Sequence, residues 1–241
     1  MHAERQILND ILNDLETYLE DLESQGLKEI PMQPRASKVD SSVGPLDSAG
    51  LESIAVAVGN CRLCGLHRTR TKTVPGQGCP HPELLFVGEA PGEDEDRQGM
   101  AFVGRAGQLL TKIIEAMGLR REDVFIANIL KCRPPNNRRP TPEEMDLCLS
   151  YLRSQIALLR PKIIVALGAT AVAGLLRPEP DFKISHMRGK WREFDGVPLM
   201  PTYHPSYLLR NNAAKAEVWI DMQNVLKKLG RVPPPRSGNA G

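Results

Sequence analysis

A short acidic segment, GEAPGEDED at residues 88–96, is the first part of the sequence whose residue types could do chemistry. Its two inner glycines and its proline favour a turn. A carboxylate held in such a turn can stabilise positive charge on a reacting substrate or activate a water molecule, and several carboxylates together can bind a cation. A solvated turn with no chemical role is the remaining interpretation. The carboxylates are Glu89, Glu93, Asp94, Glu95 and Asp96.

Four cysteines form a second group with chemical potential. Cys61 and Cys64 make a CxxC pair, which lets two thiolates reach one metal site from a tight turn. Cys132 and Cys148 follow singly and can complete a set of four. By spacing alone, a zinc ion and an iron–sulfur cluster both fit, and zinc is slightly favoured. Cys79 has no partner at a comparable spacing, and we leave it out of the set.

The composition is that of a globular protein with no global signal for nucleic acid. The chain has 241 residues, 41% of them hydrophobic, which is enough for one substantial core. A net charge of +2 means that any DNA-binding surface must be local. The start of the chain lacks the apolar core of a signal peptide, and the longest apolar run, residues 163–176, is too short for a membrane span. We expect a cytoplasmic, nucleoid-associated protein without disulfides.

The sequence divides into four predicted segments. Residues 1–24 predict an amphipathic helix, because apolar residues recur there at spacings of three and four. Its simplest interpretation is a solvated or self-associating appendage, and the alternative is a docking helix for a protein partner. Residues 25–50 are rich in proline and serine and predict a flexible linker. Residues 51–230 form the globular domain, and residues 231–241 a disordered tail.

Within the globular domain, apolar strands alternate with helices. Helices are predicted at residues 107–117, at residues 141–159 and after Gly168, and Thr141 and Glu144 have the spacing of a capping box. Alternation of this kind predicts parallel strand pairing and right-handed crossovers. We therefore predict an α/β fold with three α/β/α layers around a central four-stranded parallel sheet. The strands are predicted at residues 84–87, 124–130, 163–167 and 197–203.

The unusual residues fall where such a sheet places its ligands, beyond the carboxyl ends of the strands. The acidic segment follows the first strand, and Asn128 lies near the end of the second. Gly168 and His204 follow the third and fourth strands. Each signal is weak alone, since a single asparagine or histidine is more often structural. Their shared position at one edge of the sheet predicts a site.

Basic residues cluster in loops at the same edge. A solvated basic surface is the default interpretation of any one of them. Several such loops around one site indicate a polyanionic partner. They are Arg133, Arg138 and Arg139 in KCRPPNNRRP, Arg188, Lys190 and Arg192 around RGKWR, and Arg210 at the end of HPSYLLR.

Taken together, the motifs CRLC, GEAPGEDED, GMAFVGRAGQLL, IANILKCRPPNNR, RGKW and HPSYLLR resemble those of the family 4 uracil-DNA glycosylases, which carry a [4Fe-4S] cluster. The resemblance covers roughly residues 51–230 in the family's order, and residues 1–50 lie outside it. It implies a monofunctional DNA-repair hydrolase that cleaves the N-glycosidic bond of deoxyuridine in single- or double-stranded DNA. Uracil would be released and an abasic site left.

The resemblance also assigns the metal and the acidic segment. It makes Cys61, Cys64, Cys132 and Cys148 the ligands of a structural [4Fe-4S] cluster and replaces the preference for zinc. Gly88, Glu89 and Ala90 would line the uracil pocket, and Glu95 would form its wall near C5 of uracil. Glu89 is then the carboxylate expected to do chemistry, because Ala90 stands where family 1 enzymes have an aspartate. Glu93, Asp94 and Asp96 are expected to face solvent or cap a helix, and no cation site is expected.

The remaining assignments by resemblance concern the base and the DNA. Phe102 would stack on the flipped base and Asn128 would read its edge, accepting from N3–H and donating to O4. His204 would donate to O2 of the leaving uracil. The residues expected to contact DNA are Arg138 and Arg139, with Leu208, Leu209 and Arg210 on a loop suited to wedging into the base stack.

Two alternatives compete with this prediction. One relative traps uracil-DNA covalently through a histidine in a basic insertion, but residues 131–140 contain no histidine. The other alternative is a non-catalytic, polymerase-associated DNA-binding module with a structural metal. That module would explain the cysteines and the basic loops, but it gives no purpose to the convergence of Glu89, Phe102, Asn128 and His204.

Overall fold

The computed structural model describes residues 48–234, which lie in one compact unit, Pro45–Gly241. The predicted N-terminal helix at residues 1–24 lies outside the described residues, as do most of the predicted linker and tail. No helix within residues 48–234 is both long enough and apolar enough to cross a membrane.

A six-stranded sheet forms the centre of the described unit. Its spatial order is β1-β3-β2-β4-β6-β5. The inner four strands, β3, β2, β4 and β6, pair in parallel, as predicted. β1 and β5 add antiparallel edges. The strands are β1 (Gln77–Gly78), β2 (Leu84–Gly88), β3 (Phe125–Asn128), β4 (Ile163–Leu167), β5 (Arg192–Phe194) and β6 (Val197–Thr202).

The prediction of a four-stranded sheet was therefore wrong in its strand number, although the three-layer class is confirmed. The inner strands are buried on both faces and read as continuous apolar runs, which makes them visible in the sequence. β1 has two residues, and the first two residues of β5 are exposed. Short polar edge strands carry no periodic signal, so the apolar pattern missed them.

Helices connect the strands and cover both faces of the sheet. Short 3₁₀ turns also occur at Gly65–Arg68, Arg121–Asp123 and Pro135–Asn137. The α-helices of the described residues are α1 (Ser48–Asn60), α2 (Glu93–Gln98), α3 (Arg105–Ala116), α4 (Pro142–Leu159), α5 (Ala169–Leu176), α6 (Ile184–Met187), α7 (Pro205–Leu208) and α8 (Ala214–Lys228).

Two apolar cores lie on opposite faces of the sheet because successive strand residues point to opposite sides. Leu84 and Phe86 of β2 pack in one core with residues of α3 and α8, whereas Leu85 and Val87 pack in the other with residues of α4 and α5. The sheet is thus covered on both sides, which leaves the carboxyl ends of the inner strands as its open edge.

The helix predictions differ in their outcome. α4 begins at the predicted capping box: the Glu144 amide donates to Thr141 Oγ1 at 3.2 Å, and Glu144 Oε2 accepts from the Thr141 amide at 2.9 Å. α1 begins inside the predicted linker, and α8 was not predicted.

Arg188 was predicted to be part of a basic rim, but it lies in a buried ion-pair network. Its Nε and Nη2 donate to the two oxygens of Asp221, at 3.0 and 2.5 Å, and its Nη1 donates to Glu217 Oε2 at 3.1 Å. Thr202 Oγ1 donates to Asp221 Oδ2 at 2.6 Å. Asp221 is completely buried, and burial raises the pKa of its carboxyl group. The network joins α8 to the end of β6.

Replacing Arg188 with Met should therefore leave a buried carboxylate without its partner. We expect Arg188→Met to lower the free energy of unfolding by about 3–5 kcal/mol, the range for breaking a buried ion pair on one side. Urea unfolding at pH 7 measures it.

The matched control is Arg177→Met, which removes an exposed ion pair to Asp146 of 2.6 Å. We expect a loss below about 1 kcal/mol there. Equal, small losses in the two variants would show that Arg188 does not stabilise the fold through Asp221.

Candidate active site

A cavity of about 330 Å³ opens at the carboxyl ends of the inner strands. Its size suits a small ligand such as a single base. Segments that follow all four parallel strands contribute to its wall, as the sequence predicted. The lining includes Glu89, Ala90, Pro91, Gly92, Glu95, Phe102, Ala106, Asn128, Pro134, Asn137, Arg138, Leu167, Gly168, Ala169, His204 and Ser206.

The five carboxylates of the acidic segment occupy different environments. Glu93 and Asp94 are exposed in the first turn of α2, as predicted. Asp96 was predicted to face solvent or cap a helix, and this is wrong. It is only 3% exposed, and its carboxylate accepts from the amides of Thr71, at 2.9 and 3.1 Å, and of Lys72, at 3.4 Å. Asp96 therefore anchors the segment that follows the CxxC pair.

Glu95 reaches the cavity wall, but its carboxylate is engaged by the main chain. One oxygen accepts from the amides of Val103 and Gly104, both at 2.8 Å, and the other accepts from the amide of Gly92 at 3.1 Å. These bonds close the loop between β2 and α3. Glu95 thus holds the residues directly after Phe102, a role that its position in the sequence did not indicate.

Glu89 differs from the other carboxylates of the acidic segment in having no partner within the described part of the chain. Its main-chain carbonyl accepts from the Leu130 amide at 3.1 Å, which holds the residue beside the extension of β3. Its side chain lines the cavity, is half-buried and has no hydrogen-bond or ion-pair partner among the described residues. An uncompensated carboxylate at a ligand cavity favours positive charge in whatever binds there.

Asn128 lies at the end of β3, paired in register with Gly88 of β2. Its side chain is 1% exposed, and Oδ1 has no hydrogen-bond partner. Among the side chains that the structure describes, those of residues 50–234, it is the one buried nitrogen or oxygen in that condition. A buried polar atom without a partner costs about 1–3 kcal/mol. A ligand that donates a hydrogen bond here would remove this cost.

Phe102 is held in a strained position beside Asn128. Its φ angle of 52° lies in the left-handed region, which is unfavourable for an aromatic residue. Two side chains hold the preceding residue: Arg121 Nη2 donates to the carbonyl of Ala101 at 2.6 Å, and Gln77 Oε1 accepts from its amide at 3.3 Å. No sequence pattern indicated Arg121 or Gln77, since both act across long separations in the chain.

His204 has a defined tautomer. Its Nδ1 accepts from the Ser206 amide at 3.1 Å and lies 2.8 Å from Ser206 Oγ. Burial, assisted by the nearby positive charge of Arg210, lowers the pKa of His204 from 6.5 to about 4. The ring is therefore neutral at pH 7. Because Nδ1 is the acceptor, the proton lies on Nε2, where it is available to a ligand in the cavity.

The main chain approaches His204 closely from β4. Gly168 has a φ of +89°, and a Cβ atom built on it would lie 2.8 Å from His204 Cβ. Glycine satisfies both constraints at once. The ring centroids of His204 and Phe102 are 5.7 Å apart, so the histidine and the aromatic wall act on the same part of the cavity.

The predicted DNA-contact arginines are engaged within the protein. Arg138 forms a two-pronged pair with Glu144, at 2.6 and 2.8 Å, and Arg139 Nε donates to Thr170 Oγ1 at 3.3 Å. Arg133 donates to Asn137 Oδ1 at 2.7 Å. The positive charge of Arg138 is therefore paired with a carboxylate, whereas the partner of Arg139 is an uncharged hydroxyl group.

The predicted wedge needs one correction. Leu208 is 1% exposed and belongs to the core beneath α7, so its side chain is not placed to meet DNA. Leu209, which is 42% exposed, and Tyr207 present their side chains at the surface instead. Arg210 is also exposed. The helical turn of α7 alternates buried and exposed positions, which the run of leucines in HPSYLLR conceals.

The four predicted ligand cysteines, Cys61, Cys64, Cys132 and Cys148, line a second cavity. On the same measure as the first cavity, its volume is about 20 Å³. No three acidic, cysteine or histidine side chains in the described range are grouped around the position of a single ion. Cys79 does not line the cavity, in agreement with its exclusion from the set.

Two nitrogen donors point at the cysteine sulfurs. Arg70 Nη1 lies 3.1 Å from Cys132 Sγ, and the Lys131 amide lies 3.3 Å from Cys148 Sγ. Burial raises the pKa of the Cys132 thiol, and it raises that of Cys148 to about 11. Bound thiolates accept such hydrogen bonds, so the donor set suits a thiolate-ligated group.

Comparisons with known proteins identify the family to which the chain belongs. The family model described as Uracil DNA glycosylase superfamily matches residues 75–223. The chain is 48% identical over 164 residues to the type-4 uracil-DNA glycosylase of Thermotoga maritima, covering 68% of this chain and 85% of that one. It is 43% identical over 190 residues to the type-4 enzyme of Archaeoglobus fulgidus, covering 76% and 96%. The chain therefore belongs to the uracil-DNA glycosylase superfamily and, within it, to the type-4 family.

A more distant similarity bears on the polymerase alternative. The chain is 31% identical over 140 residues to a DNA polymerase of Bacillus phage SP01, covering 58% of this chain but 15% of the polymerase. The similar segment is thus a small part of a much longer protein.

The lowered pKa of His204 leads to a prediction about stability. The folded pKa of His204, about 4, lies below its ordinary value of 6.5, so the unfolded chain takes up a proton first as the pH falls. Stability supplied by the neutral ring is complete above pH 6.5 and decreases down to about pH 4. We expect the free energy of unfolding to fall over this range by about 3 kcal/mol more in the wild type than in His204→Gln.

Chemical denaturation at intervals between pH 7 and pH 4 measures both slopes. Identical slopes for the two proteins would show that His204 is not held neutral by burial.

Proposed function

We propose that the protein is a DNA-repair glycosylase that hydrolyses the N-glycosidic bond of deoxyuridine in DNA, releases uracil and leaves an abasic site. The observation that carries this proposal is the buried, unpaired amide oxygen of Asn128 in a cavity of base size. The names of the type-4 relatives support the same activity.

Recognition of uracil follows from the chemistry of the Asn128 amide. Uracil presents an N3–H donor beside an O4 acceptor, and an amide side chain can match both at once. Its terminal torsion is soft, so the oxygen can turn toward the base. With the amide in the orientation that matches uracil, cytosine, which presents an acceptor at N3 and a donor at N4, would leave buried groups unpaired on both sides. Asn128 therefore supplies the discrimination.

Phe102 and His204 hold the other features of the base. The Phe102 ring offers an apolar face for stacking, which is available to a base flipped out of the helix. The Nε2–H of His204 donates to O2 of uracil, where negative charge develops as the bond breaks. A neutral imidazole can stabilise that charge by hydrogen bonding and keep its own proton.

Glu89 acts on the sugar. As the C1′–N1 bond breaks, its electron pair leaves with uracil and positive charge grows on the deoxyribose, as in other glycoside hydrolyses. The carboxylate stabilises this charge. It can also take the proton of the water whose oxygen forms the new bond to C1′, and then release that proton to solvent, from which the departing uracil anion takes a proton. No residue is modified in the cycle, so the product is an abasic site.

The cysteine cavity would hold a [4Fe-4S] cluster through Cys61, Cys64, Cys132 and Cys148. Four thiols in one cavity, with N–H donors at two of the sulfurs, support this assignment. When bound, the cluster supplies structure, because hydrolysis needs no electron transfer. It would tie the CxxC segment to the loop that follows β3.

The DNA partner would meet the exposed residues around the cavity. Arg139 and Arg210 bring positive charge, which attracts the phosphates. Leu209 is placed to enter the space that a flipped base leaves. Arg138 would act mainly through Glu144, by holding the loop between β3 and α4 in place.

The catalytic proposal is tested with an oligonucleotide that carries one labelled deoxyuridine. The wild type should release free uracil, whereas a non-catalytic DNA-binding module would bind the oligonucleotide without releasing it. Glu89→Gln should slow single-turnover cleavage by about a hundred-fold or more, the size expected for a lost anion or general base. Binding should fall much less, because the recognition groups remain.

The matched control is Glu93→Gln, which removes an exposed carboxylate four residues away. Asp96 is not a suitable control because it is buried. If Glu93→Gln slows cleavage as much as Glu89→Gln does, the carboxylates of the acidic segment act through their combined charge, and the role given to Glu89 is wrong.

The cluster proposal predicts the metal content. Protein purified anaerobically should be brown and contain about four irons per chain. Cys132→Ala should lose most of the iron, whereas Cys79→Ala, which changes a cysteine outside the cavity, should keep it. Stoichiometric zinc without iron would contradict the assignment.

A further inference from the structure

Lys131 lies between the two cavities. It is 1% exposed, follows β3 by three residues and lines the cysteine cavity. Complete burial of a lysine is unusual and costly unless its donors are satisfied. The roles given to the uracil pocket and to the cysteines do not explain why the sequence places a lysine here.

The contacts of Lys131 reach both sites. Its Nζ donates to the main-chain carbonyl of Asn128 at 3.0 Å and to Gln155 Oε1 at 2.7 Å. Gln155 Nε2 in turn donates to the carbonyl of Pro75 at 2.7 Å. The main-chain amide of Lys131 donates to Cys148 Sγ at 3.3 Å. One residue thus contacts the proposed reader of uracil and a proposed ligand of the cluster.

The end of β1 explains why a side chain is needed at this point. In β3, the main chain of Ile126 pairs with Gln77 of β1. The main-chain carbonyl of Asn128 points to the same edge of the strand, because main-chain groups two residues apart in a strand have the same direction. β1 is only two residues long and runs antiparallel to β3, so it does not extend far enough to pair with Asn128. The Asn128 carbonyl would then be buried without a partner, and the ammonium of Lys131 supplies one.

We propose that Lys131 is a positioning residue for uracil recognition, which holds the main chain of Asn128 so that its amide meets the edge of the base. This inference rests on the proposed function. The Asn128 side chain can be placed reproducibly only if its own backbone is held. Displacements of about 1 Å in such groups cost about a hundred-fold in rate. A charge-assisted hydrogen bond suits this role because it is shorter and stronger than a neutral one.

Gln155 is the second residue of the arrangement that holds Asn128. It lies on α4, accepts from Lys131 and is held by the carbonyl of Pro75, so it determines where the ammonium sits. The segment that contains Pro75 leads back to the CxxC pair, and the amide of Val74 donates to the carbonyl of Lys131 at 2.8 Å. Asn128 is thereby braced from the side of the cysteine cavity.

The test separates reading of the base from binding of the DNA. Equilibrium binding is measured to two DNAs: one with 2′-fluoro-2′-deoxyuridine, whose fluorine slows cleavage, and one with a tetrahydrofuran abasic analogue, which has no base. The wild type should prefer the uracil DNA. In Lys131→Met this preference should fall by about tenfold, the effect of losing about 1.4 kcal/mol of base recognition. Binding to the abasic analogue and the iron content should change by less than about twofold.

Variants of Gln155 keep the test informative if Lys131→Met folds poorly. Gln155→Leu removes the acceptor of the ammonium and should also reduce the preference for uracil. Gln155→Glu keeps an acceptor for Lys131 and should retain more of the preference than Gln155→Leu. The matched control is Lys162→Met, which removes an exposed lysine paired with Glu83 at 2.5 Å and should leave the preference unchanged.

Several outcomes would overturn the inference. An unchanged preference for uracil in both Lys131→Met and Gln155→Leu would show that Asn128 needs no brace. Equal loss of binding to both DNAs would show a general structural role instead. If the wild type itself shows no preference and releases no uracil, the proposed function fails, which is a different result.

Discussion

The absence of a side chain at Gly88 is the constraint on which the pocket depends. A Cβ atom built there would lie 2.4 Å from Asn128 Oδ1 and 2.5 Å from Phe102 Cζ, far inside contact distance. The Asn128 amide and the Phe102 ring therefore converge over bare main chain at the end of β2. The hydrogen bonds between Glu95 and the residues after Phe102, together with the positive φ of Phe102, help to keep these two groups in that narrow space.

The sequence predicted the parts of the fold that depend on local pattern. Continuous apolar runs located the inner strands, and Thr141 with Glu144 located the start of α4. What it missed depends on contacts between distant segments. The burial of Arg188 follows from a pairing with α8, and the burial of Asp96 follows from amides 24 and 25 residues earlier in the chain.

The candidate site shows the same division. Position at the carboxyl ends of the strands was enough to gather Glu89, Asn128, Gly168 and His204, and the resemblance supplied expected roles for all of them except Gly168. Neither source distinguished Leu208 from Leu209, because facing the core or the surface depends on how α7 packs. Nor did they indicate Lys131, whose proposed role follows from β1 pairing only as far as Ile126, two residues before Asn128.

The charges that line the pocket complement the charges that the proposed reaction would create. Arg138 lines the cavity but is neutralised by Glu144, and His204 is neutral because burial holds its pKa near 4. Glu89 is left as an uncompensated charge among the lining residues described. In the proposed reaction the sugar becomes positive and the base negative. Glu95, the other lining carboxylate, is held by three main-chain amides. An unpartnered anion near the sugar and neutral donors around the base would favour that separation, whereas a cation at either position would oppose half of it or trap the product.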